Sequence, residues 1–320
     1  MPSYSGIWTL SQQFQAVGQG LWPPNFVPPE TLAIFALGGA PGVSTTRDKY
    51  TYAGCVVGAA TAATASGQGG SAAGTGTAGI FALGGGAGGV GVITRDKYTY
   101  SGCVVSAGGA ATVATTNGSA AGNSTVGIFA LGQTGSCAVT STTRNKYTYS
   151  GDVVAAGGAA TAASYIGSAA GNSTVGIFAL GAAPICGSTT RNKYTYSGDV
   201  VSAGTVATAA SYFGSAAGTS TVGIFALGNV SCVGSTTRNK YTYSGDVVSA
   251  GTAATTASQA GSAAGNSTVG IFALGQTPST NSTTRNKYTY SGCVVAAGGA
   301  ATVASSRGSA ASNGTSGVNI

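Results

Sequence analysis

Histidine is absent from all 320 residues, and charge is scarce: 6% of the chain, with 13 Lys and Arg against 6 Asp and Glu. Without histidine, neither a Ser-His-Asp nor a Cys-His constellation can form. The 6 cysteines contain no Cys-x-x-Cys pair, so no zinc or other metal site is expected. They also follow no secretion signal and do not read as a disulfide framework. Mostly free thiols in small, half-buried positions are expected instead. A glycosidase needs two carboxylates about 5–10 Å apart. Here the repeated aspartates fall at equivalent positions of different repeats, so no such pair is expected. The Gly-rich stretch 84–91 precedes no Gly-Lys-[Ser/Thr] and is not a phosphate loop. No run approaches the ~20 apolar residues of a membrane span, so no membrane insertion is expected. The N-terminus lacks a basic region followed by an apolar run. These absences point to a non-enzymatic protein with no cofactor.

Repetition fills the space that chemistry leaves. The phrase I-F-A-L-G begins at Ile34, Ile80, Ile128, Ile177, Ile224 and Ile271. A second phrase, R-[DN]-K-Y-T-Y, begins at Arg47, Arg95, Arg144, Arg191, Arg238 and Arg285. Intervals of 46 to 49 residues mark an array of supersecondary units, a propeller or a solenoid. Each unit reads as four short strands. In 168–211, Ser168-Ala169-Ala170 is followed by the turn Gly171-Asn172-Ser173-Thr174, and then by an apolar strand from Val175 to Leu180. A loop of variable length leads to the strand Arg191 to Tyr196. The turn Ser197-Gly198-Asp199 then opens a last segment from Val200. Hairpin turns favour antiparallel meanders over a parallel solenoid. The Ser-Ala-Gly first strand suits a crowded axis. Period-2 geometry puts Arg191, Lys193 and Thr195 on one strand face and Asn192, Tyr194 and Tyr196 on the other, with the tyrosines packing between neighbouring units.

The first unit lacks its small-residue strand, and Arg307-Gly308-Ser309-Ala310-Ala311 supplies one at the other end. The expected fold is therefore all-β: a six-bladed propeller over residues 32–320, closed by a C-terminal strand so that no sheet edge stays open. The start of a further strand, Val318 to Ile320, has no assigned role.

Two resemblances follow. The unit G-S-A-A-G-N-S-T-V-G-I-F-A-L-G, then a loop, then K-Y-T-Y-S-G-D, resembles a kelch-type repeat, which implies a propeller blade. The kelch double glycine is present at Gly38-Gly39 and Gly84-Gly85. The leader Met1-Pro2-Ser3-Tyr4-Ser5-Gly6-Ile7-Trp8-Thr9-Leu10, then Gln13, Gln15-Ala16 and Gly20-Leu21-Trp22-Pro23, resembles that of tailed-bacteriophage structural proteins with kelch-like Gly-rich repeats. That resemblance implies a virion component made in the host cytoplasm, a peripheral fibre or receptor-binding protein for host attachment. The alternatives are a capsid or tail decoration protein, or a prophage-derived bacterial sugar-binding propeller.

The leader reads as an anchor over residues 1–31. It holds both tryptophans, Trp8 and Trp22, and Leu10, Phe14 and Val17 have helical spacing. Trp8, Leu10, Phe14 and Trp22 are the expected docking residues toward other virion proteins. Every charge except Glu30 and Arg307 recurs at a repeat position, and the net charge is +7. The pairs Arg47 and Lys49, Arg95 and Lys97, Arg144 and Lys146, Arg191 and Lys193, Arg238 and Lys240, and Arg285 and Lys287 are expected as surface contacts for an anionic receptor. Host surface polysaccharide or lipopolysaccharide is the expected partner. The pairs are evenly spaced rather than clustered, so nucleic acid is not an expected partner. The units differ most in the loop after I-F-A-L-G and in the segment before G-S-A-A, including Tyr165-Ile166, Tyr212-Phe213, Gln259-Ala260 and Ser306-Arg307. Recognition usually resides in such loops on a rigid scaffold.

Overall fold

Each repeat folds as a four-stranded antiparallel sheet. In one of them Ser168–Gly171, Val175–Ala179, Arg191–Thr195 and Val200–Gly204 lie side by side in chain order, with Ala170 opposite Ile177, Ile177 opposite Lys193, and Lys193 opposite Ser202. The computed structural model describes residues 31–39, 42–86, 89–134, 139–182, 187–278 and 280–314. Trp8, Leu10, Phe14 and Trp22 lie outside the described residues, as do Cys137, Cys186 and Val318 to Ile320. Four more sheets repeat this order, starting at Ser71–Gly74, Ser119–Gly122, Ser215–Gly218 and Ser262–Gly265. A further sheet joins the two ends of the repeat array. Its first strand is Ser309–Ser312, which pairs with Leu32–Ala36, placing Ala311 opposite Ile34. No helix of the described residues is long and apolar enough to cross a membrane.

Both faces of the middle strands are covered. Val175–Ala179 is buried at four of five positions and Arg191–Thr195 at three, the rest being half-buried, whereas Val200–Gly204 mixes exposed and half-buried positions. A strand sandwiched between neighbouring sheets needs apolar residues on both faces, and I-F-A-L supplies them. The first strands of successive sheets neighbour one another: Ser71–Gly74 beside Ser119–Gly122, onward through the array, and finally Ser309–Ser312 beside Ser71–Gly74. Only Ser, Ala and Gly fit there.

A second tyrosine explains the glycines at the far end of these strands. A Cβ on Gly171 would stand 2.6 Å from the Tyr196 hydroxyl oxygen, and one on Gly176 would stand 2.9 Å from it. Tyr196 thus lies across two strands of its own sheet in space the glycines leave open. Burial pushes its hydroxyl, and those of Tyr100, Tyr149, Tyr243 and Tyr290, well above the ordinary tyrosine value.

Arginines join one sheet to the next. Arg191 stacks over Phe225 with its Cζ 4.7 Å from the ring centroid, and its Nη2 donates to Asn239 Oδ1 at 3.1 Å. Asn239 also accepts from Thr208 N–H and donates to Thr208 Oγ1 at 2.7 Å. The expectation that Arg47, Arg95, Arg144, Arg191, Arg238 and Arg285 contact a receptor at the surface is overturned: each is only 1% exposed. With both sheet faces covered, a residue at the start of the third strand meets the neighbouring sheet. A guanidinium tolerates this because it is weakly hydrated and stacks on aromatic rings.

Two of these interfaces carry a carboxylate. Arg47 pairs with Asp96 at 2.9 Å and Arg285 with Asp48 at 2.8 Å. Arg95, Arg144, Arg191 and Arg238 have an asparagine in place of that carboxylate. Burial pulls these four guanidiniums down to about 10, so they still carry their charge at neutral pH. Part of the net positive charge is thus interior. Substituting Asn239→Asp should stabilise the fold by roughly 1–2 kcal/mol at neutral pH, because a counter-ion reaches a buried charge. The geometry is already tested within the chain. Thr64 and Thr302 turn their hydroxyls to donate to Asp96 and Asp48, as Thr208 would to the new carboxylate. Chemical denaturation checks the sign, and a loss of stability would refute it.

Candidate functional site

The residue two places before each Ser-Ala-Ala strand builds a continuous belt of backbone hydrogen bonds. Asn117 N–H donates to Gly69 C=O at 2.6 Å, Ile166 to Asn117 at 2.8 Å, and Phe213 to Ile166 at 2.9 Å. Ala260 donates to Phe213 at 2.9 Å, Arg307 to Ala260 at 2.7 Å, and Gly69 to Arg307 at 2.8 Å, returning to the start. All six residues hold positive φ, from 50° at Ile166 to 61° at Gly69. The belt is possible because the last residue of I-F-A-L-G makes room for it. A Cβ on Gly181, for example, would lie 2.4 Å from Tyr165 O.

The belt surrounds the mouth of a funnel of about 90 Å³ to which all six sheets contribute. Beneath the belt come Ser71, Ser119, Ser168, Ser215, Ser262 and Ser309, and then an alanine from each sheet. The wall is therefore repetitive and the rim is not: Gly69, Asn117, Ile166, Phe213, Ala260 and Arg307 all differ. Arg307 is exposed and reaches across Ala260, with its Cζ 5.4 Å from the centroid of Phe213. Tyr212 stands beside Phe213 at 5.5 Å between ring centroids.

The two variable segments of each repeat come together here. Gln133–Thr134 pairs with Thr115–Thr116, Asn229–Val230 pairs with Ser211–Tyr212, and Gln259 bridges to Gln276. Side-chain amides continue this pairing: Asn117 Nδ2 donates to Gln133 Oε1 at 2.9 Å, and Gln259 Nε2 to Gln276 Oε1 at 3.0 Å. Sequence comparison among the repeats singled out both segments. It did not show that they share one end of the sheets, because that depends on antiparallel pairing between distant residues.

The lysines lie elsewhere. Lys97, Lys146 and Lys193 each bind a turn aspartate of the following sheet, Asp152, Asp199 and Asp246, at 2.9 Å. Tyr147, Tyr194 and Tyr241 donate to the same aspartates. Burial works to raise the Asp152 carboxyl, but hydrogen bonds from Lys97 and Tyr147 outweigh it and hold the group below its ordinary value. Cysteine replaces aspartate in the other turns, and there Lys287 Nζ stands 3.8 Å from Cys55 Sγ. Lys49, Lys240 and Lys287 are half-buried. Cys55, Cys103 and Cys293 are free and half-buried, whereas Cys232, also free, is exposed on a loop. Among the described residues, no group of three or more His, Cys, Asp or Glu is placed to hold a metal ion.

No protein-family model matches the chain, and no curated protein matches it. Among solved structures the chain is similar to that of YjhT, with a TM-score of 0.58 and 8% identity, over 76% of this chain and 86% of that one. At that identity the likeness concerns the fold alone, which is all-β and propeller-like.

Proposed function

We propose that the chain is a closed six-bladed propeller that serves as a non-enzymatic phage virion protein, a peripheral fibre or receptor-binding component for host attachment. One observation carries the recognition role. A closely repeated scaffold changes most in two segments, which pair with each other, and one of them lines a single mouth. A purely structural ring gains nothing from that variation, whereas a recognition surface on a rigid support requires it. Closure is supported by the pairing of Ser309–Ser312 with Leu32–Ala36 and by the belt returning to Gly69. The virion assignment rests on the leader resemblance. In this reading Trp8, Leu10, Phe14 and Trp22 dock the protein to other virion components.

Immunogold labelling of purified virions with an antibody to the repeats tests the assignment. Gold at tail tips or fibres is the expected result. Gold spread over the head would instead favour a decoration protein. Unlabelled particles would sink the virion reading and leave a free sugar-binding propeller.

A further inference from the structure

Side chains at the belt are kept against a conformational cost. A left-handed conformation costs a non-glycine residue about 1–3 kcal/mol, most for bulky or β-branched types. Gly69 shows that the belt accepts glycine, the unstrained choice. The other five positions nevertheless carry Asn117, Ile166, Phe213, Ala260 and Arg307, with φ between 50° and 58°. Their backbones do the same work as that of Gly69, but Asn117 bonds Gln133 and Ile166 and Ala260 are buried, so only the side chains of Phe213 and Arg307 are left without a structural role.

Arg307 stands apart among the arginines. The six in the R-x-K-Y phrases are 1% exposed and committed to sheet interfaces. Arg307 is exposed, lines the funnel, and has no ion-pair partner among the described residues. Its Cζ lies 5.4 Å from the centroid of the Phe213 ring, a cation–π contact that favours this placement by about 0.5–1 kcal/mol. Among the described residues no aspartate or glutamate lines the funnel, so none of them repels an anion there. Phe213, with Tyr212 packed beside it, offers an aromatic flank, and the serines below offer hydroxyls that can donate or accept.

We infer that the mouth binds one anionic group, a phosphate or a carboxylate, carried on a single terminal sugar unit, with Arg307 holding the anion and Phe213 packing against the ring. This rests on the reading of the mouth as a recognition surface. The fork of a guanidinium matches both anions. The funnel is small, about 90 Å³, and a chain end is the epitope proposed for it.

The test uses the full chain and three probes, glucose 6-phosphate, glucuronate and glucose, with binding followed by saturation-transfer NMR and calorimetry. At least one charged probe should bind, more weakly at higher salt, and glucose should bind at least tenfold more weakly. Comparing the two charged probes tells phosphate from carboxylate. Arg307→Asn, which suits a left-handed backbone, should reduce affinity tenfold or more with an unchanged melting temperature. Arg307→Lys should retain part of the affinity, and Phe213→Asn should weaken charged and neutral probes alike. The inference is overturned by equal binding of glucose and the charged probes, by full affinity in Arg307→Asn, or by no binding of any probe. Immunogold reports separately: labelled tails without probe binding would refute the ligand class and leave the virion role standing.

Discussion

A chain ended at Arg307 is expected to melt roughly 10 °C below the full-length protein, or to lose its cooperative transition altogether. The truncation removes Ser309–Ser312, which supplies the edge partner of Leu32–Ala36. Ile34 and Phe35, both 0% exposed, would lose cover from Ala310 and Ala311. The Tyr52 hydroxyl would lose Ser312 Oγ, to which it donates at 3.1 Å. Exposing part of two large apolar side chains costs a few kcal/mol. Each lost ladder hydrogen bond adds about 1 kcal/mol. The total is on the order of 5 kcal/mol, comparable with the whole stability of many domains. Thermal melting measures the loss, and a peptide of residues 308–314 added in trans should restore part of it. A truncated chain that melts like its parent would falsify closure.

What the sequence conveys and what it hides divide along a physical line. Strand boundaries, turns and the shared end strand are local, and they can be read from period-2 phrases and hairpin chemistry. Leu32-Ala33-Ile34-Phe35 lacks a preceding small-residue strand, and that gap alone points to Ser309-Ala310-Ala311. Side-chain exposure is not local. Arg191 and Lys193 share a strand face and look alike as cations, yet one is buried on Phe225 while the other reaches Asp246 near solvent. Their difference comes from the neighbouring sheet, which a single repeat does not contain. The belt is hidden for a similar reason. Ile166, Phe213 and Arg307 carry no turn signature, and left-handed geometry is not anticipated for isoleucine or phenylalanine. The usable clue was variation: the one position that changes immediately before an unchanging Gly-Ser-Ala-Ala.

Substituting Gly228→Ala is expected to cost at least about 3–4 kcal/mol and to abolish binding at the mouth. Gly228 ends the I-F-A-L-G phrase of its repeat, with φ of 69°. An added Cβ would stand 2.3 Å from Phe213 O and 2.4 Å from Phe213 C. Both atoms are backbone, so no rotamer change relieves the collision. Left-handed alanine adds about 1–2 kcal/mol by itself. The relief available is movement of the belt, and that would strain the bonds from Phe213 N–H to Ile166 and from Ala260 N–H to Phe213. Gly58, with open space around its Cβ position and no left-handed φ, provides the control, and Gly58→Ala should change stability by no more than about 0.5 kcal/mol. Denaturation compares the two directly. If Gly228→Ala folds with near-parent stability, the belt is not rigid, and the precise placement of Phe213 beneath Arg307 loses its physical basis. If it is severely destabilised while Gly58→Ala is neutral, the unchanging glycine and the changing rim are two parts of one construction. The first holds the backbone ring in place so that the second can vary without altering the fold.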